Sequence, residues 1–129
     1  MSKREIMIVD DQPSTCKEIS AYLHNDYAVH AFKSGAEAMR YLGNHQVDLI
    51  LLDYYMPEMT GFEVLLNILQ NKATEDIPVV FLTAEVNDRM EIEMMQRGAV
   101  GYLCKPVDAN KLRQTVAKHM PAQPRVQQA

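Results

Sequence analysis

Apolar and polar positions follow two alternating patterns along the chain, and these patterns predict strands and helices in turn. Short runs rich in apolar or β-branched residues occupy positions 6–9, 27–32, 49–52, 79–82 and 102–104, as expected of strands. After each run, apolar residues recur at the spacing of an amphipathic helix. The pattern therefore predicts an α/β fold, in which five parallel strands and five helices form a doubly wound sheet.

Turn and capping residues mark where these helices begin and end. Pro13 is expected to open the first helix, where its missing N–H removes no hydrogen bond. Side-chain caps at helix starts and glycine at helix ends give the other boundaries. These signals are the capping pairs Ser34/Glu37 and Thr60/Glu63, the N-cap Asp108 and the terminal residues Gly43 and Gly98.

The third helix carries a stripe that is expected to face the core. Phe62, Leu65, Leu66 and Leu69 follow the i, i+3, i+4, i+7 spacing of one helical face. The second strand is predicted to lie at an edge of the sheet. A structure can test both predictions directly.

Length and composition indicate a single domain with a short tail. The chain has 129 residues, which is typical of one compact domain. Residues 1–120 carry the alternating pattern, and residues 121–129 are rich in Pro and Gln. The second range is therefore predicted to be a linker or C-terminal tail.

Charge and cysteine content exclude several classes of function. A formal net charge of -4, without long basic runs, argues against direct binding to nucleic acid. No apolar run approaches the ~18 residues that a membrane span needs, so no membrane contact is expected. Cys16 and Cys104 lie in apolar patterns and are interpreted as reduced core thiols, which predicts a cytoplasmic protein.

Polar side chains that can do chemistry follow four of the predicted strands. Asp10 and Asp11, Asp53, Thr83 and Lys105 all lie at or just beyond a strand's carboxyl end. Each one alone is better explained as a helix cap, a strand residue or a solvated lysine. Because the carboxyl ends of parallel strands meet at one edge, we expect all five side chains to converge.

Three converging carboxylates would repel one another, and a bound cation removes that conflict. Mg²⁺ suits carboxylate oxygens, and Lys105 supplies one further positive charge. A site neutralised in this way can accept a phosphoryl group. Asp53 is then the expected nucleophile, with Thr83 and Lys105 contacting the phosphoryl oxygens.

The motifs resemble those of bacterial response-regulator receiver domains, and the resemblance covers about residues 4–120. It rests on five motifs in the family's order and spacing. These are Asp10-Asp11, Asp53, Met56-Pro57-x-Met59-x-Gly61, Thr83-Ala84 and Gly101-Tyr102-x-x-Lys105-Pro106. The resemblance implies a flavodoxin-like fold and a role in two-component signalling, in which Asp53 takes phosphate from a histidine kinase or phosphotransfer protein.

The same resemblance implies further roles in the site. Asp11 is expected to bind Mg²⁺ directly and Asp10 mostly through water, with Asp53 and the backbone carbonyl of Tyr55 completing the ligands. It also implies a cis peptide bond before Pro106.

Thr83 and Tyr102 match the family's switch pair, which controls a surface on the fourth helix, fifth strand and fifth helix. Tyr55, Glu85 and Pro106 are expected to border the site. The ring of Tyr55 is predicted to shield an acyl phosphate from water, and Glu85 either orients water or is merely solvated.

Two other functions compete with this phosphoacceptor switch, which acts on itself and is not an enzyme for an external metabolite. One is a phosphohydrolase with an aspartyl-phosphate intermediate, although position 55 is Tyr where such enzymes typically carry a second Asp. The other is a receiver-like interaction module that is not phosphorylated. An effector domain C-terminal to residue 129 and a homodimer through the switch surface are both left open.

Overall fold

The computed structural model describes residues 3–125 and consists of one parallel sheet with helices on both faces. The strands are Arg4–Val9 (β1), Tyr27–Phe32 (β2), Leu49–Asp53 (β3), Val79–Thr83 (β4) and Gly101–Cys104 (β5). The helices are Pro13–Leu23 (α1), Gly35–Leu42 (α2), Gly61–Gln70 (α3), Asp88–Gln96 (α4) and Ala109–His119 (α5). The predicted alternation of strands and helices is confirmed.

The order of the strands in the sheet is β2-β1-β3-β4-β5, and every neighbouring pair is parallel. β2 is therefore an edge strand, as predicted, and β3 lies at the centre with all of its residues buried. The order reverses between β1 and β3. Open α/β sheets bind their ligands at such a reversal, beyond the carboxyl ends of the strands.

Two hydrophobic cores lie on opposite faces of the sheet, because side chains alternate along each strand. The helices α1 and α5 cover one face through Ile19, Leu23, Leu112 and Val116. The helices α2, α3 and α4 cover the other face through residues that include Ala38, Leu42, Val64, Leu65, Ile68 and Met94. Within residues 3–125, no helix combines the length and the hydropathy needed to cross a membrane.

The capping predictions are confirmed at several helix ends. The side chains of Ser34, Thr60 and Asp108 accept hydrogen bonds from backbone N–H groups in the first turns of α2, α3 and α5. Pro13 is the first residue of α1. Gly98 follows α4 with a φ of 113°, a left-handed conformation that favours glycine.

Two packing predictions are wrong in part. The buried residues of α3 are Gly61, Val64, Leu65 and Ile68, whereas Leu66 is 54% exposed. Phe62 and Leu69 are partly buried against the core, so the predicted stripe is wrong at Leu66 and omits Val64 and Ile68. Because α3 is apolar on more than one side, spacing alone did not identify which positions are fully buried. Cys104 is exposed at the end of the edge strand β5, so only Cys16 is partly covered.

After α5, residues 121–125 return toward the strands' amino ends, where Arg4 and Asp48 contact them. The prediction that residues 121–129 form a linker or tail stays a prediction, and residues 126–129 lie outside the described residues.

Candidate functional site

Three aspartates converge at the carboxyl edge of the sheet, where the strand order reverses. Asp10 directly follows β1, and Asp53 is the last residue of β3. Carboxylate oxygens of Asp10, Asp11 and Asp53 all lie within 4.8 Å of one another. Asp10 and Asp53 are buried and Asp11 is half-buried. The structure thus brings together the carboxylates that the sequence placed at this edge.

Lys105 bridges two of these carboxylates from the loop after β5. Its Nζ lies 2.8 Å from Asp10 Oδ2 and 3.1 Å from Asp53 Oδ1. The Lys105 backbone N–H donates to the carbonyl of Thr83 over 2.8 Å, and the peptide bond to Pro106 is cis. The ammonium group therefore reaches the site from the loop after β5, which is separated from β3 by β4.

Burial and charge alter the proton affinities of Asp53 and Lys105. Burial, followed by the charge of Asp10, raises the pKa of Asp53 from 3.8 to about 6 despite the opposing effect of Lys105. Burial alone lowers the pKa of Lys105, but its contacts with Asp10 and Asp53 outweigh this and raise the pKa above its ordinary value. Lys105 therefore stays charged, and the site has too little positive charge for its carboxylates.

The oxygens of this cluster fit a hard divalent cation. Asp10 Oδ1 accepts a hydrogen bond from the Gln12 backbone N–H over 2.9 Å. Asp10 Oδ2 is buried and pairs with Lys105 Nζ at 2.8 Å. One ammonium group does not balance three clustered carboxylates, so the cluster is expected to take a further positive charge. Oxygen-only donors of this kind suit Mg²⁺.

An open cleft of about 380 Å³ lies over the cluster. That volume accommodates a phosphoryl group together with a side chain from a partner. Its lining combines the charged residues with the loop that joins β3 to α3. The lining residues are Asp11, Gln12, Asp53, Tyr54, Tyr55, Met56, Pro57, Thr83, Ala84 and Lys105.

Of the predicted switch pair, the structure brings only Thr83 into the cleft. Thr83 is the last residue of β4, and its hydroxyl donates to the backbone carbonyl of Glu85 over 2.6 Å. Tyr102 is half-buried on β5 and does not line the cleft. Burial and then the neighbouring Glu91 raise the pKa of its phenol. In this conformation the Thr83 hydroxyl is engaged by its own loop.

The three predicted bordering residues occupy different places. Tyr55 lines the cleft and is 78% exposed, with its ring edge-on to Tyr54 at 5.4 Å. Glu85 is exposed and is absent from the cleft lining, so its backbone rather than its carboxylate contacts a site residue. Pro106 is also exposed and lines an adjacent groove beside α1.

Sequence reasoning missed Gln12, which belongs to the site. Its Oε1 lies 3.3 Å from Lys105 Nζ and 3.3 Å from Thr15 Oγ1, and its backbone N–H contacts Asp10. Gln12 is the N-cap of α1 and makes no side-chain capping hydrogen bond. The available signal was its position between the aspartate pair and Pro13, the residue that opens the helix.

An aromatic cluster beneath the β3–α3 loop was also missed. Tyr54, Phe62 and Phe81 contact one another edge-to-face, with ring centroids 5.1 to 5.7 Å apart. These contacts join the loop after Asp53 to α3 and β4. The three residues lie in three different parts of the chain, so spacing alone did not reveal the cluster.

Comparison with known proteins gives consistent matches. The family model described as the response regulator receiver domain matches residues 6–117. A probable cyclic di-GMP phosphodiesterase of Vibrio cholerae is 41% identical over 120 residues, which cover 93% of this chain and 27% of that protein. The regulatory protein LuxO of Vibrio cholerae is 36% identical over 110 residues, which cover 84% of this chain and 24% of that protein. The chain thus spans about a quarter of either relative's length.

Solved structures agree with these matches. The chemotaxis protein CheY4 of Vibrio cholerae superposes with a TM-score of 0.87 at 28% identity, covering 92% of this chain and 100% of that one. The receiver domain of a LuxO-type repressor from Vibrio parahaemolyticus gives a TM-score of 0.84, also at 28% identity, with coverage of 91% and 89%.

Proposed function

Because this chain belongs to the family of response regulator receiver domains, we propose that Asp53 is its phosphoacceptor. Receiver domains are signalling switches whose standard role is to accept a phosphoryl group. The observation that carries the assignment is the position of Lys105, whose Nζ lies within 3.1 Å of both Asp10 and Asp53. An ammonium group at this distance pairs with a phosphoryl oxygen once Asp53 carries the group. Among the clustered carboxylates, Asp53 ends the central strand and opens onto the cleft.

The proposed reaction is an in-line transfer. A carboxylate oxygen of Asp53 attacks the phosphorus of a phosphohistidine, an O–P bond forms, and the P–N electron pair returns to the histidine nitrogen. Lys105 neutralises one equatorial oxygen. Thr83 donates to another after its hydroxyl leaves the carbonyl of Glu85. Asp10, Asp11, Asp53 and the Tyr55 carbonyl are proposed to hold Mg²⁺, which supplies charge that stabilises the transferring group.

The proposed transfer requires a partner that carries a phosphohistidine. The donor is a histidine kinase or a phosphotransfer protein, and the setting is the cytoplasm, where the free thiols Cys16 and Cys104 stay reduced. Release of the Thr83 hydroxyl and an inward turn of Tyr102 are proposed to shift the population of the α4–β5–α5 surface. That surface is the proposed contact for an effector domain or a second copy.

Removal of divalent cations is expected to abolish labelling by a small phosphoryl donor. With acetyl phosphate and Mg²⁺, wild type should form an acyl phosphate, and excess chelator should prevent this. The Asp11→Asn variant should need at least ~10-fold more Mg²⁺ for half-maximal labelling, because it loses a charged oxygen ligand. Calorimetric titration of Mg²⁺ alone should show the same weakening without any reaction.

The matched control is Asp26→Asn, which makes the same chemical change at an exposed position. It should label and bind Mg²⁺ like wild type. Labelling of wild type that persists in chelator would contradict the proposed cation site. It would not contradict the role of Asp53, which the Asp53→Asn variant tests separately.

Tyr55→Asn is expected to shorten the lifetime of the acyl phosphate by roughly 3–10-fold, because the ring lines the cleft and limits the approach of water. The decay of the phosphorylated protein after donor removal measures this at fixed Mg²⁺. Tyr55→Phe keeps the ring and should decay like wild type. An unchanged lifetime in Tyr55→Asn would show that the exposed ring gives no protection.

A further inference from the structure

A second group of polar contacts lies at the amino edge of the sheet, opposite the phosphoacceptor site. Asp48 immediately precedes β3 and is only 6% exposed. Its Oδ2 accepts a hydrogen bond from the Glu5 backbone N–H over 2.7 Å and lies 3.6 Å from Arg4 Nε. A carboxylate this deeply buried requires donors on its remaining oxygen as well.

The segment Pro121–Arg125 supplies that donor. The Arg125 backbone N–H donates to Asp48 Oδ1 over 2.9 Å. Arg4 Nη2 in turn donates to the backbone carbonyls of Pro121 and Gln123 over 2.5 and 3.0 Å. Arg4 therefore contacts both Asp48 and the segment, and the segment helps to cover Asp48.

The side chain of Arg125 ties the segment to two further loops. Its Nε donates to Gln46 Oε1 over 3.3 Å, and an Nη atom donates to the backbone carbonyl of Ala73. Ala73 follows α3, which packs on the opposite face of the sheet from α5. The segment thus passes from the α5 face, beneath the starts of β1 and β3, to the α3 side.

Sequence features suit this extended path. Met120 and Pro121 end α5, and the backbone of Met120 is already extended, with ψ of 127°. Pro121 and Pro124 restrict the backbone before it docks, which lowers the conformational entropy lost on docking. Both hydrogen bonds from Arg4 to the segment are accepted by backbone carbonyls, and Ala122, Gln123 and Pro124 are exposed.

We propose that the recess formed by Arg4, Gln46, Asp48 and the Ala73 carbonyl is a docking site for Pro121–Arg125 of the same chain. Docking holds Arg125 beside the loop that follows α3, at the edge of the sheet opposite Asp53. This inference does not depend on phosphorylation.

Trypsin cleavage after Arg125 tests the docking, because a protease must extract the arginine side chain from the recess before it can cut. In wild type, cleavage at this bond should be at least ~10-fold slower than in a free peptide of the same local sequence. Arg4→Met and Gln46→Ala should each accelerate it toward the peptide rate. Gln123→Ala, which keeps the backbone carbonyl, should cleave like wild type.

Amide hydrogen exchange separates loss of docking from loss of folding. In Arg4→Met the Arg125 amide should exchange at least ~10-fold faster, while the Leu51 amide in β3 keeps its wild-type rate. Wild-type cleavage at the free-peptide rate would overturn the proposal. Protection that disappears on dilution would also overturn it, since the occupant would then be the segment of a second copy.

Discussion

Asp53→Asn is expected to reduce covalent phosphoryl labelling by at least ~10²-fold, because an amide cannot replace the attacking carboxylate. The substitution keeps the size of the side chain and an oxygen within reach of Lys105, whose Nζ lies 3.1 Å from Asp53 Oδ1. Labelling with acetyl phosphate in saturating Mg²⁺, followed by intact-protein mass spectrometry, measures the effect. A beryllium-fluoride adduct provides a second readout of the same site.

The control for this change is Asp76→Asn, since Asp76 is exposed in the turn before β4. It should label like wild type. Equal labelling of wild type and Asp53→Asn would place the reactive group elsewhere and overturn the phosphoacceptor assignment.

The same variant has an expected pH signature without Mg²⁺. Burial and the nearby Asp10 raise the pKa of Asp53 from 3.8 to about 6, so between these values the native state holds a proton that the unfolded chain has lost. Wild type therefore loses stability as pH rises through about 6, and the penalty vanishes below about 4. Asp53→Asn should be more stable than wild type above this window by up to roughly 3 kcal/mol, the free energy that corresponds to this rise in pKa.

Urea unfolding at a series of pH values, with chelator present, measures the difference. Asp76→Asn serves again as the control and should parallel wild type. A difference that stays constant from pH 4 to 8 would show that the Asp53 carboxylate is not destabilised by its surroundings.

Gly61→Ala is expected to lower the free energy of unfolding by roughly 2–3 kcal/mol, because the site has no room for a methyl group. An added Cβ would lie 2.6 Å from the backbone carbonyl oxygen of Asp53 and 2.8 Å from a ring carbon of Phe81. Gly61 also donates its N–H to the Tyr54 carbonyl. Relief of the overlap must shift the loop after Asp53, so slower labelling should accompany the lost stability.

Gly43→Ala is the matched control for this prediction. Gly43 has helical dihedrals, and an added Cβ would approach only the carbonyl of Arg40 at 3.3 Å and that of Met39 at 3.9 Å. Its unfolding free energy should stay within about 1 kcal/mol of wild type. If urea unfolding shows the two variants to be equally stable, the space between Gly61, the Asp53 carbonyl and the Phe81 ring is larger than the structure indicates.

The parts of the fold that sequence predicted well are those set by local patterns. The strands were predicted from apolar runs, because a parallel strand that is buried on both faces appears in the sequence as a nearly continuous apolar run. The caps at Ser34, Thr60 and Asp108 were readable because a side chain meets a backbone N–H only a few residues away. The convergence of Asp10, Asp53 and Lys105 followed from topology, since parallel strands end at one edge.

The features that sequence did not predict depend on contacts between distant residues. Nothing local distinguishes Leu66, which faces solvent, from Leu65, which is buried. The Gln12 contact with Lys105 spans 93 positions, and the Arg125 contact with Asp48 spans 77. Such pairs are fixed by how the helices and loops pack, which spacing along a single chain does not encode.

The length of β3 carries a consequence for how this domain tolerates change. Asp48 precedes the strand and is held at one edge of the sheet, while Asp53 ends it at the other. All five residues of β3 are buried, and the strand pairs with β1 through residues 49–52 and with β4 through residues 50–53. Inserting or deleting one residue in β3 would turn the following side chains to the opposite face of the sheet. The contacts of Asp48 at one end and of Asp53 at the other therefore both require β3 to keep its present length. Insertions among related chains are therefore expected in the connecting loops, and this strand should keep its residue count.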